Sequence, residues 1–277
     1  MLKADSLVRE LIDDLTPRLA RDKSLIVGLS GSQGSGKSTL ATALRDALGE
    51  RGLNVAVISL DDLYFTHGER KRLAAEVHPL LQTRGVPGTH DVALGLDLLR
   101  RLKNAMADTL TPLPRFDKTR DDRAPENAWE VFKGRPDIIV LEGWCLAARA
   151  QDVAALEEPI NALENAHDRN AVWRTHVNQQ LSGAYCDLFG ALDYLVFLKA
   201  PSFDVVFSWR KEQEQKLKRR AGASRPPMTD AELQHFIAHY ERLTRHMHAD
   251  LPLFADMVVE LDTARDVLNI TRKDRGT

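Results

Sequence analysis

SLIVGLSGSQGSGKSTL, residues Ser24 to Leu40, joins a short apolar run to a glycine-rich turn and then to helix-forming residues. Within it, Gly31, Ser32, Gln33, Gly34, Ser35, Gly36, Lys37 and Ser38 satisfy G-x-x-x-x-G-K-[ST] at every fixed position. The glycines let the backbone turn tightly and aim successive N–H groups inward. With the positive end of the following helix, these donors form a nest for phosphate oxygens. Lys37 is placed to reach the β- and γ-phosphates, the Ser38 hydroxyl to meet Mg²⁺, and Thr39 to extend the nucleotide contacts.

On either side, the pattern predicts an open parallel sheet. Leu7, Val8, Leu11, Ile12 and Leu15 recur at helical spacing before the motif. Ser38 to Leu48 reads as a helix stopped by Gly49 and Gly52, and NVAVISL (Asn54–Leu60) as the next buried strand. Strand, helix and strand in that order make a βαβ unit. Three further apolar runs, at 137–141, 192–198 and 257–261, predict strands three to five, with helical patterns over 91–107, 154–189, 202–220 and 229–248. Residues 111–135, rich in proline and charge, read as an ordered loop.

Composition narrows the chemistry. The chain has 277 residues and a net charge of −2, which gives no global sign of nucleic-acid binding. Cys145 and Cys186 form no CxxC pair and read as small, reduced core residues. No signal-peptide pattern or apolar run of membrane-spanning length is evident, so the expectation is a cytoplasmic protein without a membrane partner.

Two carboxylates fall where open sheets place their ligands, at the carboxyl ends of strands. Glu142, in LEGW after the third strand, is a candidate metal ligand beside Ser38. Asp61, in SLDDLY after the second strand, is a candidate base for an acceptor hydroxyl and a further candidate for the metal shell. Asp62 reads as a turn former, and Tyr64 as a wall of the acceptor pocket. The third strand ends in Leu141-Glu142-Gly143-Trp144 rather than in DxxG, and no NKxD guanine-nucleotide motif is present, which disfavours a switch GTPase. A nucleotide-binding regulator that hydrolyses ATP remains the alternative to a kinase.

These segments resemble the uridine kinase, phosphoribulokinase and pantothenate kinase superfamily. HPLLQTRGVPGTHD (78–91), PRFDKTRDDRAP (114–125) and the late WRKEQEQ…MTDAELQHFIAHYERLT are similar to the D-glycerate 3-kinase family, over residues 24 to 265. The resemblance implies a P-loop kinase of α/β class. Its doubly wound, mainly parallel sheet would be flanked by helices in one domain, 1–277. It also implies a substrate-binding insertion at about 61–135 and a helical lid at about 209–228. The implied reaction takes ATP and D-glycerate to ADP and 3-phosphoglycerate with Mg²⁺; nucleosides, pantothenate and other sugar acids are alternative acceptors. Asp61 matches the superfamily's catalytic aspartate, although Leu63 stands where phenylalanine is usual. Arg84, His90 and Asp91 match one substrate-side loop, and Phe116, Asp117, Lys118 and Arg123 a second. An anionic acceptor calls for cations, and Arg84, Lys118, Arg120 and Arg123 are candidates. In the lid, Arg210 is the candidate to neutralise the transferred phosphoryl group, with Lys218 and Arg219 beside it.

Overall fold

The computed structural model describes residues 4–221 and 228–273. In chain order the elements are α1 (Ala4–Leu15), β1 (Leu25–Gly31), α2 (Lys37–Gly49), β2 (Val55–Ser59), α3 (His67–Glu76), α4 (Val92–Lys103), β3 (Leu110–Leu113), β4 (Phe116–Asp117), β5 (Asp122–Arg123) and β6 (Glu130–Lys133). They continue with β7 (Ile138–Gly143), α5 (Ala162–His167), α6 (Val172–Ser182), α7 (Ala184–Gly190), β8 (Tyr194–Lys199), α8 (Asp204–Ala221), α9 (Asp230–Asp250), β9 (Met257–Leu261) and β10 (Val267–Arg272).

The main sheet runs β10-β9-β8-β1-β7-β2, with β1, β2, β7, β8 and β9 all parallel. Its strands are near-continuous apolar runs because both faces are covered. Alternate residues go to opposite cores. Ile26, Ile58, Ile139, Leu141 and Phe197 pack under α4, α6, α7 and α9. Val27, Leu29, Val140, Val196 and Val259 pack under α1 and α2. This is the doubly wound arrangement, with β1 at the point where the strand order reverses. The carboxyl ends of β1, β2 and β7 therefore open on one crevice.

The structure departs from the sequence expectations in four places. A sixth strand, β10, pairs antiparallel at the sheet edge. Its sequence VLNITR is mostly exposed and carries no continuous apolar run. Residues 111–135 hold two small antiparallel ribbons, β3–β6 and β4–β5, rather than a loop. The helical stretch at 154–189 is broken into a short 3₁₀ turn and three helices, because Asn161, with its side chain on Glu164 N, and Gly183 start new elements. Cys145 is buried as expected, but Cys186 is exposed. Residues 222–227 of the expected lid lie outside the described residues, as do the side chains of Lys218 and Arg219. No helix among the described residues is long and apolar enough to cross a membrane.

Candidate active site

The loop from Gly31 to Ser38 links β1 to the first turn of α2. Gly34 and Gly36 take φ values of 81° and 96°, in the left-handed region that glycine tolerates. An added Cβ at Gly34 would lie 2.6 Å from Trp209 Cβ, so the foot of α8 packs directly on the loop. Arg265, between β9 and β10, donates from Nε to Gly34 O at 2.6 Å and pairs with Glu212 of α8 at 2.9 Å. Its guanidinium also lies over the Trp209 ring. Two distant segments, α8 and the β9–β10 turn, thus hold the loop's shape.

The loop's polar groups fit a polyphosphate. Ser32 Oγ, Ser35 Oγ and both amide atoms of Gln33 are buried without a partner, which is costly unless a ligand or water completes them. Lys37 is 8% exposed and donates to Ser32 O at 3.2 Å. Burial lowers its pKa, while Glu142 and Asp61 work against that shift.

At the end of β7, Glu142 is 6% exposed, and its Oε1 accepts from Ser38 Oγ at 3.0 Å and Ser59 Oγ at 2.7 Å. One carboxylate and two hydroxyls form an all-oxygen set suited to a hard cation that keeps waters and phosphate oxygens as its other ligands.

After β2 the chain turns through a short 3₁₀ segment, Leu60–Leu63, that presents Asp61. Lys118 Nζ donates to Asp61 Oδ2 at 2.7 Å and Tyr64 Oη to Oδ1 at 2.9 Å. Burial works to raise the Asp61 pKa, but Lys118, Lys37 and the tyrosine hydroxyl together hold it well below the usual carboxylate range. Asp61 in turn raises the Lys118 pKa. Asp62 does more than form a turn: it accepts from Phe116 N at 3.0 Å and pairs with Arg115 at 3.1 Å, which anchors β4 beside Asp61.

The remaining candidates line the far wall or support it. Tyr64 stacks on His90 with centroids 4.5 Å apart and meets Phe116 edge-on at 5.2 Å. Arg84 pairs with Asp121 and lies over the Phe116 ring. Asp91 Oδ1 accepts from Leu94 N and so caps α4, while its Oδ2 and Tyr64 O both accept from Arg123. Asp91 and Arg123 therefore brace the wall. Arg210 lies over the Phe236 ring and hydrogen-bonds Gln213 at 3.3 Å; its charge acts on Tyr240, near Asp61 and Arg84.

Comparison with known proteins agrees with this geometry. A family profile described as methylmalonyl Co-A mutase-associated GTPase MeaB matches residues 3–70, the segment around the phosphate loop. The uncharacterized kinase mug58 of Schizosaccharomyces pombe is 34% identical over 226 residues, covering 79% of this chain and 79% of that one. The chloroplastic D-glycerate 3-kinase of Arabidopsis thaliana is 28% identical and covers 82% of this chain, which spans 47% of the plant protein's length. The structure of D-glycerate 3-kinase from Cryptococcus neoformans var. grubii matches with a TM-score of 0.81 at 25% identity, over 97% of this chain and 99% of that one. The chain belongs to the family of P-loop kinases that includes mug58, and D-glycerate 3-kinases are among its homologues. It is an ATP-dependent small-molecule kinase that acts on a hydroxyl group.

Several residues that shape the kinase's crevice carry no local sequence signal. Tyr240 of α9 donates to Arg84 O at 3.0 Å, and Trp144 Nε1 donates to Gly85 O at 2.7 Å. Together they clamp the Arg84–Gly85 turn. Arg70 is 1% exposed; it donates to Phe65 O and Gln82 O and pairs with Asp121 at 3.0 Å, tying α3 to the 78–91 and 114–125 loops. An arginine in a polar helix gives no hint of burial. Ser59 was legible only as the residue before Leu60-Asp61.

Proposed function

We propose that the kinase phosphorylates a small hydroxy acid, with D-glycerate as the acceptor and 3-phosphoglycerate as the product. The observation that carries this reading is the convergence of Lys37, Glu142 with Ser38, and Asp61 with Lys118 on one crevice. Nucleotide machinery and a carboxylate fit to take a proton stand side by side. The names of the plant and fungal relatives support the choice of acceptor.

In this reading Gly31 to Thr39 cradle the triphosphate, and Lys37 offsets charge on its terminal groups. Ser38 and Glu142, with Asp61 in the outer shell, would hold Mg²⁺, which when bound offsets charge on the phosphates. The acceptor carboxylate meets the cations Lys118 and Arg84, with Arg123 behind them. Tyr64, His90 and Phe116 form the wall that excludes water, and Asp91 keeps that wall in place. The acceptor oxygen attacks the γ-phosphorus, the bond to the β,γ-bridging oxygen breaks, and ADP leaves with that electron pair. The acceptor's proton passes to Asp61 Oδ. Arg210, at the foot of the 209–228 lid, stabilises charge on the phosphoryl group as it moves. All of this takes place within a single kinase domain, with 61–135 as its acceptor side.

Acceptor dependence tests the reading. ADP release measured with ATP and Mg²⁺ against hydroxy acids, sugars, pantothenate and nucleosides should rise sharply with D-glycerate. Release that stays indifferent to every acceptor would replace the kinase reading of the site with an ATP-driven regulator.

A further inference from the structure

His90 does more than line the wall. Its Nδ1 lies 2.7 Å from Tyr185 Oη, and the same phenol oxygen accepts from Gly88 N at 2.9 Å. Tyr185 is 0% exposed and His90 2%. A phenol has one proton, and leaving it without an acceptor inside a protein costs about 1–3 kcal/mol. Since the oxygen already accepts from Gly88, its proton is best placed on Nδ1. Burial lowers the His90 pKa to about 4, so the ring is neutral near pH 7. A neutral ring that accepts at Nδ1 carries its own proton on Nε2.

That Nε2 is buried and has no partner among the described residues. The ring lies nearly parallel to Tyr64, at 21°, and the Tyr64 hydroxyl ends on Asp61. Asp61 is also the charged group that acts on His90. A single N–H donor is thus left unpartnered on a ring stacked against Tyr64, whose hydroxyl reaches the carboxylate read above as the base.

Resting on that reading of the site, we propose that His90, held as its Nε2–H tautomer by Tyr185, recognises a second hydroxyl of the acceptor, next to the one that is phosphorylated. The acceptor class is then a vicinal dihydroxy acid rather than any short hydroxy acid. An acceptor without the second oxygen leaves the buried N–H unpaired, so it is turned over less efficiently on the order of 10- to 100-fold. Tyr185 is a positioning residue: it touches no substrate and acts through the ring it orients.

The test compares kcat/KM for D-glycerate and for 3-hydroxypropanoate, which keeps the carboxylate and the terminal hydroxyl and lacks the middle one. Wild-type enzyme should prefer glycerate by about 10- to 100-fold. His90→Phe keeps a flat ring against Tyr64 without the donor; it should lower kcat/KM for glycerate about 10- to 100-fold more than for 3-hydroxypropanoate, so that the preference is lost. His90→Gln restores a side-chain N–H and should recover part of the preference, which also guards against a merely misfolded phenylalanine variant. In ¹⁵N-histidine spectra, His90 should appear as the Nε2–H tautomer in the wild type and shift towards a mixture in Tyr185→Phe. Equal loss on both acids in His90→Phe, or an Nδ1–H tautomer in the wild type, overturns the proposal. Wild-type enzyme that uses both acids equally well overturns it too, while leaving the acceptor reading intact. If glycerate itself is refused and another polyhydroxy acid is used, the glycerate assignment falls. The same comparison is then made with that acid and its deoxy analogue.

Discussion

Asp61→Asn isolates the proton-accepting step. The amide keeps one acceptor oxygen, enough for either Tyr64 Oη or Lys118 Nζ, which lie 2.9 and 2.7 Å from different carboxylate oxygens, and it cannot take the acceptor's proton. Loss of a positioned base costs about 10²–10⁴ in rate, or about 3–5 kcal/mol of transition-state stabilisation. Stability should change far less. The Asp61 and Lys118 side chains are 31% and 57% exposed, so their ion pair is worth about 1 kcal/mol or less after solvent screening. The expected outcome is normal ATP binding by calorimetry, a melting temperature within a few degrees of wild type, and kcat in a coupled ADP assay reduced by at least about 10². The pH profile gives a second check. Asp61 is held below its ordinary value of 3.8, so it takes up a proton only when pH falls below that value. Wild-type kcat/KM should therefore show no acidic limb from this carboxylate above that pH. A variant with kcat near wild type would refute Asp61 as the base.

Lys37→Ala should lower kcat on the order of 10²–10³ or more while the circular dichroism spectrum is unchanged, and an active variant would remove the phosphate-loop argument. Gly85→Ala places a Cβ 2.1 Å from Tyr240 Oη on a backbone with φ of 141°; strain of about 1–3 kcal/mol should lower the melting temperature and raise the acceptor KM with little effect on the ATP KM. Arg265→Ala removes the hydrogen bond to Gly34 O and the ion pair to Glu212, so the ATP KM should rise while the acceptor KM holds. Acid should destabilise the fold. His90 and His239 are lowered by burial to about 4 from 6.5, so the unfolded chain binds more protons between those values and stability falls as pH drops through them. At pH 5 the loss is about 1–2 kcal/mol for each histidine, and a melting temperature flat between pH 7 and 5 would contradict it.

Much of the architecture was legible because its signals are local. Eight consecutive residues, Gly31 to Ser38, contain the whole phosphate loop, and the apolar runs at 24–30, 54–60 and 137–141 announce β1, β2 and β7, whose faces are both covered. Asp91, placed at the start of a helical pattern, caps α4 as a residue of its type does. By contrast, β4 and β5 have two residues each, too few for any period, and β10 is a mostly exposed edge strand with no continuous apolar run.

The sequence by itself determined the phosphate loop, the parallel sheet beneath it and the two carboxylates at strand ends, since backbone preference and burial period act over a few residues. Only the tertiary structure brought Glu142 to Ser38 across 104 positions, Lys118 to Asp61 across 57, Tyr185 to His90 across 95 and Arg265 to Gly34 across 231. Such pairings are set by how strands and helices stack. A side chain's partner across the fold leaves no trace in the spacing of its neighbours along the chain.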